Sequence, residues 1–243
     1  FFQENEVDIV FHAAAHKHVD IVEDNIIYSC RNNLNSIINT LEACNKHKIK
    51  DFVFVSTDKA VRPSNVMGLT KRCGELITYY YSQKDDSNNY CSVRFGNVIG
   101  SSGSLLEILR KQIYDGGPIT LTDKKASRYF MTISDAVSLV LKSTALKKNG
   151  KILVLNMGKP INIYSLIKSF LKENNLSEKK SDELDHKQSI EIKIIGLRNG
   201  EKLHEELFYD EKFEKCDDMI FSENIDKKFS EINLLEFNQK LSR

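Results

Sequence analysis

The stretch VFVSTDKAVRPSNVMGLTK, Val53 to Lys71, decides the fold. It closes a short apolar run, Asp51–Ser56, of the β-branched and aromatic kind that makes a buried strand. Thr57, Asp58 and Lys59 follow at once, just past the strand's carboxyl end. From Asn65 to Gln83 the apolar positions are spaced as in a helix, with Met67, Leu69, Leu76 and Ile77 as predicted inward residues. A buried strand, a polar turn and a helix make half of a βαβ unit.

The same alternation continues on both sides. Val7–Ala15 (VDIVFHAAA) reads as a buried strand. Glu23–Lys46 reads as a helix, with Ile26, Ile27, Leu34, Ile37, Ile38 and Leu41 at helical spacing, and Tyr90–Phe95 reads as a third strand. Strands alternating with helices of this length imply a parallel sheet covered on both faces. After Gly96 the texture changes, because Gly96, Gly100, Gly103, Gly116, Gly117 and Pro118 interrupt the pattern. Shorter elements follow. Helices are predicted over Leu105–Tyr114, Ser134–Lys142 (Ser134 as N-cap) and Ile161–Asn174, and strands over Ile119–Thr122, Lys151–Leu155 and Ile190–Ile195. Glu178–Lys187 reads as a charged loop, and the chain after Tyr209 as a charged tail. The expected class is α/β: a Rossmann-like parallel sheet with a smaller C-terminal α/β lobe. The expected division is 1–100 for the cofactor-binding part, 101–210 for a lobe able to return strands to the sheet, and 211–243 for the tail.

Of 243 residues, 35 are basic and 34 acidic, a formal charge of +1, so no general electrostatic drive points to nucleic acid or an anionic membrane. At 41% hydrophobic and 28% charged, the composition suits neither a disordered polymer nor an integral membrane protein. No apolar run approaches the ~18–20 residues that cross a bilayer. The five cysteines (Cys30, Cys44, Cys73, Cys91 and Cys216) are far apart, with no metal-ligand or disulfide spacing. They read as packing thiols in a reducing, cytoplasmic compartment, and no metal site is expected.

Five motifs, in order, carry a family resemblance: HAAAHKHV (His12–Val19), STDKAVRPSNVMGLTKR (Ser56–Arg72), VRFGNVIGSSGS (Val93–Ser104), SRYFMT (Ser127–Thr132) and GLRNGEKLHEEL (Gly196–Leu207). Over roughly residues 7–210 the chain resembles the extended short-chain dehydrogenase/reductases. Within them it resembles the CapD-type polysaccharide-biosynthesis proteins, which are UDP-N-acetylglucosamine 4,6-dehydratases and close relatives. The resemblance implies NAD or NADP as a recycled cofactor and a UDP-sugar as substrate. In that chemistry a hydride leaves sugar C4, a base takes the C5 proton, an acid expels the C6 hydroxyl as water, and the hydride returns to C6.

Residue by residue, the resemblance makes Asp58 the acid and Lys59 the C5 base, beside Thr57 and Lys71. A lysine base must be neutral, which requires desolvation or a nearby cation. Met67 stands where the superfamily usually has Tyr, four residues before Lys71 and so on the same helix face. A thioether holds no proton, which leaves the first-step base open; the expectation is that Lys71, through water or with Thr57, takes that role. The competing readings are a cap for Asp58, a solvated Lys59 and a packing role for Met67.

For the cofactor, the resemblance implies Ala13, Ala14, Ala15, Lys17, Asn33, Ser56 and Lys71. The small alanines let a ligand lie against backbone, and Asn33 corresponds to the helix Asn that orders water. For the UDP-sugar it implies Asn97, Ser101, Ser102, Ser104, Arg128, Arg198 and Glu201. A guanidinium fork matches a diphosphate and Glu201 accepts from ribose hydroxyls. The serines could equally build a turn, and the Arg and Glu could be ordinary ion pairs. His204 and Glu206 read as the start of a following helix.

A Gly-rich dinucleotide turn should open the cofactor half. GNVIGSSG (Gly96–Gly103) has the wrong spacing and follows a late strand. The chain is therefore expected to be a piece lacking the first strands of that half, with a full-length parent that oligomerises and is anchored at the inner membrane or not. The rival readings are a catalytically silent UDP-sugar-binding fragment and a UDP-sugar 4-epimerase.

Overall fold

The computed structural model describes residues 1–179, 188–210 and 212–225. In chain order the elements are β1 (Ile9–His12), α1 (Val19–Asp24), α2 (Ile26–Lys46), β2 (Asp51–Val55), a 3-10 turn (Asp58–Ala60), α3 (Val66–Ser82) and β3 (Asn89–Arg94). Next come β4 (Asn97–Ile99), α4 (Leu105–Tyr114), β5 (Ile119–Leu121), β6 (Ser127–Arg128), β7 (Phe130–Thr132), α5 (Ile133–Ala145) and β8 (Ile152–Leu155). The remainder is β9 (Ile161–Asn162), α6 (Ile163–Glu173), β10 (Ser177–Glu178), β11 (Ser189–Ile190), β12 (Ile192–Ile194), β13 (Phe213–Asp217) and β14 (Ile220–Glu223).

Two compact units emerge. The first takes 1–95, 137–156 and the described residues from 206 on; the second takes 96–136 and 157–205, less the undescribed stretch.

The first unit is built on a six-stranded sheet in the order β1-β2-β3-β8-β14-β13. β1, β2, β3 and β8 run parallel, while β14 and β13 join antiparallel. Phe52, Val53 and Phe54 of β2 and Tyr90, Cys91 and Val93 of β3 are all buried, so these central strands are continuously apolar instead of alternating. α2 and α3 supply Leu34, Ile37, Ile38, Leu41 and Ile77 to the core against Phe52, Phe54 and Tyr90. Two glycine contacts show how closely α3 approaches. A Cβ on Gly74 would stand 2.4 Å from Phe54 Cζ, and one on Gly68 would stand 2.2 Å from the Lys59 carbonyl oxygen.

The second unit buries Leu109, Ile119, Leu121, Ile163, Ile167 and Leu171 in its own core. Its strand pairs are short: β4 with β7, β5 with β12, β6 with β9, and β10 with β11.

Several expectations need correction. Leu69, Ile26 and Ile27 are exposed, not inward. Leu69 lies two residues from the buried Met67, roughly 200° around the helix. Ile26 and Ile27 sit in the first turn of α2, ahead of its first buried position, Ser29. Ser134 does not cap α5; Thr132 does, its hydroxyl accepting from Asp135 N at 3.1 Å. Glu178 belongs to β10 and takes a hydrogen bond from the Tyr164 hydroxyl at 2.6 Å, whereas 180–187 lie outside the described residues. The stretch read as a charged tail holds β13 and β14. They form a hairpin on the sheet because Ile220, Ser222 and Glu223 are buried beside β8. Residues 226–243 of that tail also lie outside the description.

Candidate active site

The parallel sheet sends the turn after β2 out at its carboxyl end, where open α/β sheets present reactive groups. The backbone pins this turn to β3: Ser56 N donates to Val93 O at 2.7 Å and Asp58 N to Phe95 O at 3.0 Å. Thr57 caps the 3-10 turn, and its hydroxyl donates to Asp58 Oδ1 at 2.9 Å. Lys59 Nζ meets the same oxygen at 3.0 Å. Asp58 is completely buried, while the Lys59 side chain keeps 19% exposure. Asp58 Oδ2 is buried with no hydrogen-bond partner among the described residues. The structure therefore couples Thr57, Asp58 and Lys59, and the capping oxygen is that of Thr57, not Asp58.

α3 begins seven residues later, capped by the Asn65 side chain, which accepts from Gly68 N at 2.8 Å. Met67 and Lys71 share its buried face. Lys71 Nζ donates to Val55 O at 2.8 Å and stands 4.8 Å from the Phe54 ring centroid. Burial draws the Lys71 pKa down to about 8, with Glu75 pulling the other way. His12, at the end of β1, stacks beside Phe52 and Phe54 with centroids 6.1 and 6.0 Å away. Burial and then the Lys71 charge hold His12 down to about 4, so it is neutral at physiological pH. Its Nε2 is buried without a partner among the described residues.

Beneath the turn lies a charged cluster that the sequence reading did not single out. Glu75 and Arg94 are both completely buried. Arg94 donates to Glu75 through Nε at 3.0 Å and Nη2 at 2.9 Å, a fork on both carboxylate oxygens. Arg72 Nη1 reaches Glu75 Oε2 at 2.9 Å, and Arg94 Nη1 reaches Glu223 Oε2 at 2.7 Å. The Ser56 hydroxyl donates to Glu75 Oε1 at 2.7 Å, so it is committed to this network. Burial alone would raise the Glu75 carboxyl, but the arginines and Ser56 hold it below the ordinary carboxylate range. A sequence signal existed: an Arg inside a continuously buried strand demands a buried counter-charge, and Glu75 sits four residues beyond Lys71.

Of the cofactor candidates, Ala13 and Ala14 are exposed at the end of β1, Ala15 is half-buried and Lys17 exposed. Asn33 is spent on the protein. Its Nδ2 donates to His16 O and Thr70 Oγ1, both at 3.1 Å, and its Oδ1 accepts from His16 N at 2.7 Å. That amide ties the β1 exit to α3.

The substrate candidates lie in the second unit. Arg128 is nearly enclosed by protein acceptors: Glu201 Oε1 at 2.8 Å, Ser127 O at 2.8 Å and Leu203 O at 3.1 Å. Glu201 also accepts from the Thr122 hydroxyl at 3.1 Å, so Arg128 and Glu201 form the ion pair of the competing reading. Arg198 is exposed, with its backbone N on Glu201 Oε2 at 3.3 Å. Asn97 starts β4, its N donating to Tyr129 O at 2.9 Å. Ser101 builds a turn by donating to Val98 O at 2.9 Å; Ser102 is exposed; Ser104 precedes α4 with its hydroxyl buried. Among the described residues no helix follows His204 and Glu206: His204 Nδ1 lies 2.8 Å from Ser127 Oγ, and Glu206 pairs with Arg62. Among the described residues no cluster of His, Cys, Asp or Glu could hold a metal ion.

A parallel sheet with a Thr-Asp-Lys turn and a buried helical lysine defines a short-chain dehydrogenase/reductase-type Rossmann protein. The structure aligns with Pen from Bacillus thuringiensis (TM-score 0.79, 30% identity, 93% of this chain and 68% of that one). It also aligns with a Thermus thermophilus UDP-glucose 4-epimerase complex with NAD (TM-score 0.70, 19% identity, 85% and 71%). The family model described as polysaccharide biosynthesis protein matches residues 1–224, and the chain belongs to that family, in its CapD-type branch. It is 44% identical over 198 residues to the capsular polysaccharide biosynthesis protein CapD of Staphylococcus aureus, covering 82% of this chain and 32% of that protein. It is 31% identical over 205 residues to a Campylobacter jejuni UDP-N-acetylglucosamine 4,6-dehydratase (inverting), covering 82% and 56%. It is 34% identical over 215 residues to a UDP-glucose 4-epimerase of Rickettsia canadensis, covering 88% and 59%. The chain thus spans between a third and three fifths of the length of these curated relatives.

Proposed function

We propose that the chain carries the acid/base apparatus of a nucleotide-sugar 4,6-dehydratase that converts UDP-N-acetylglucosamine to a UDP-4-keto-6-deoxy sugar in surface-glycan synthesis. The carrying observation is the Asp58–Lys59 contact at 3.0 Å with Asp58 fully buried. Dehydration needs a neutral amine at C5 and a protonated carboxyl at the C6 hydroxyl. An ion pair and its neutral tautomer hold the same number of protons, so one transfer along that hydrogen bond arms both groups without exchange with solvent. Lys59, partly exposed, takes the C5 proton; Asp58, whose Oδ2 has no hydrogen-bond partner among the described residues, protonates the departing hydroxyl.

The residues fit a nicotinamide cofactor, NAD or NADP: exposed Ala13 and Ala14 leave backbone approachable, and the buried Lys71 Nζ donates to Val55 O at the end of β2. When bound, that cofactor supplies reversible hydride acceptance. Lys71, drawn to about 8, is partly neutral near physiological pH and accepts the C4 hydroxyl proton that Met67 cannot. Asn97, Arg128, Arg198 and Glu201 are assigned to the UDP moiety, with Arg128 exchanging a protein acceptor for phosphate. The assembly is read as a homo-oligomer on the cytoplasmic side, in keeping with the exposed Ile27 and Tyr28 and five free cysteines. No described helix is long and apolar enough to cross a membrane.

The test incubates the chain with UDP-N-acetylglucosamine and either nicotinamide cofactor and follows product mass. Loss of one water is expected, and Asp58→Asn should cut it by about 10² or more. Intact mass with retained UDP binding would replace the reading with a silent UDP-sugar-binding fragment. The similarity to the Rickettsia epimerase favours a second reading, UDP-sugar 4-epimerisation; its signature is an isomer of unchanged mass that forms equally well in Asp58→Asn.

A further inference from the structure

The segment Glu206–Asp210, which sequence spacing assigns to a helix start and a tail, crosses the loop between Lys59 and Met67. We propose that it is a positioning strap for the acid/base turn, with Arg62 and Tyr209 as its positioning residues; the catalytic consequence rests on the dehydratase reading. Arg62 lies three residues beyond Lys59 with φ +40°, a left-handed conformation uncommon for residues that carry a side chain. The strap supplies partners for the Arg62 side chain. Arg62 Nη1 donates to Glu206 Oε1 at 2.6 Å, and Nη2 donates to the Tyr209 carbonyl. The Arg62 and Arg72 guanidinium carbons stand 5.4 and 4.7 Å from the Tyr209 ring centroid.

A second anchor grips the other end of the same turn. Glu223 Oε1 accepts from Asp210 N at 3.1 Å and from Tyr209 N. Its Oε2 takes Arg94, which also donates to Leu207 O at 2.9 Å and forks onto Glu75. Glu75 in turn receives the Ser56 hydroxyl. Thus the residues bracketing Thr57, Asp58 and Lys59 are both tied to one C-terminal segment, on one side through Arg62 and on the other through Ser56.

The experiment measures backbone amide exchange of the full chain by mass spectrometry, together with steady-state dehydration. Arg62→Gln removes the fork at a residue whose side chain is 51% exposed, so folding should survive. Amide exchange over residues 57–66 should quicken about three- to tenfold, while β2 and β3 stay unchanged. Tyr209→Ala should do the same and Tyr209→Phe, which keeps the ring, should stay near native. In an active chain kcat should fall by a similar factor with KM unchanged. Unchanged exchange over 57–66 in Arg62→Gln overturns the strap. Quickened exchange with unchanged kcat overturns its catalytic role. A native chain that dehydrates nothing defeats the dehydratase reading instead, and the exchange result still decides the strap.

Discussion

Lys71 shows how one buried ammonium connects stability to chemistry. Its amine titrates near 8 in the folded chain against ~10.4 unfolded, because burial disfavours the charged form. Between those values the unfolded chain holds more protons, so stability rises with pH across that window. Below pH 8 the buried charge is a standing cost. Lys71→Met should therefore be more stable than the native chain at pH 7 by about 1–3 kcal/mol, and melt at a higher temperature, with the advantage fading between pH 8 and ~10.4. Thermal melts at pH 7 and 10 check this; equal melting temperatures at pH 7 would falsify it. On the proposed dehydratase function, the rate of the native chain should climb through about pH 8 as Lys71 becomes neutral. In Met67→Tyr that limb should move, because a phenol then shares the proton transfer. A flat profile near 8 removes Lys71 from the base role.

At the scale of the element, α3 is defined by what it omits. Gly68 and Gly74 let it approach the Lys59 carbonyl and the Phe54 ring to distances no Cβ tolerates. The Phe54 ring has some freedom to shift, but the Lys59 carbonyl is backbone of the acid/base turn. Gly68→Ala gains helix propensity of up to ~1 kcal/mol yet must displace that turn. Net destabilisation of about 1–3 kcal/mol is expected, with kcat falling more steeply than KM changes. Steady-state kinetics beside a urea titration would separate the two effects. Met67 lies on the buried face of this tightly seated helix.

For the molecule as a whole, the first unit combines an apolar, mostly parallel sheet with a buried ionic cluster. Two arginines (Arg72, Arg94) and two glutamates (Glu75, Glu223) neutralise one another there. Such clusters add little net stability when intact but are costly to break, since the survivor is a buried unpaired charge. Arg94→Met should destabilise the first unit by roughly 3–5 kcal/mol and free the β13–β14 hairpin from Glu75. Proteolysis near residue 210 together with chemical denaturation tests this. A loss under about 1 kcal/mol would mean water reaches the carboxylates.

The local elements were legible because each is dictated by short-range pattern. The continuous apolarity of Phe52–Val55 allows only a strand covered on both faces. The Asn65 cap and the apolar spacing of α3 set the helix one residue inside the span predicted. The candidate acid/base turn was legible too, since its three residues are consecutive and follow a strand end. What sequence spacing leaves open is every partnership that spans the chain. Arg94 and Glu223 are 129 residues apart and Arg62 and Tyr209 are 147, and no local pattern encodes which charge meets which. The same gap misassigned the segment after Tyr209, whose sparse apolar residues resemble a solvated tail until Ile220 and Glu223 pack beside β8. Sequence alone determined the α/β class, the strand–turn–helix order and the placing of Asp58 and Lys59 just past a strand end and of Lys71 on the following helix, because these depend on neighbouring residues. Only the tertiary structure decided which buried charges neutralise one another and what holds the turn in place, because burial makes an unpaired charge intolerable and only the folded chain selects its partner.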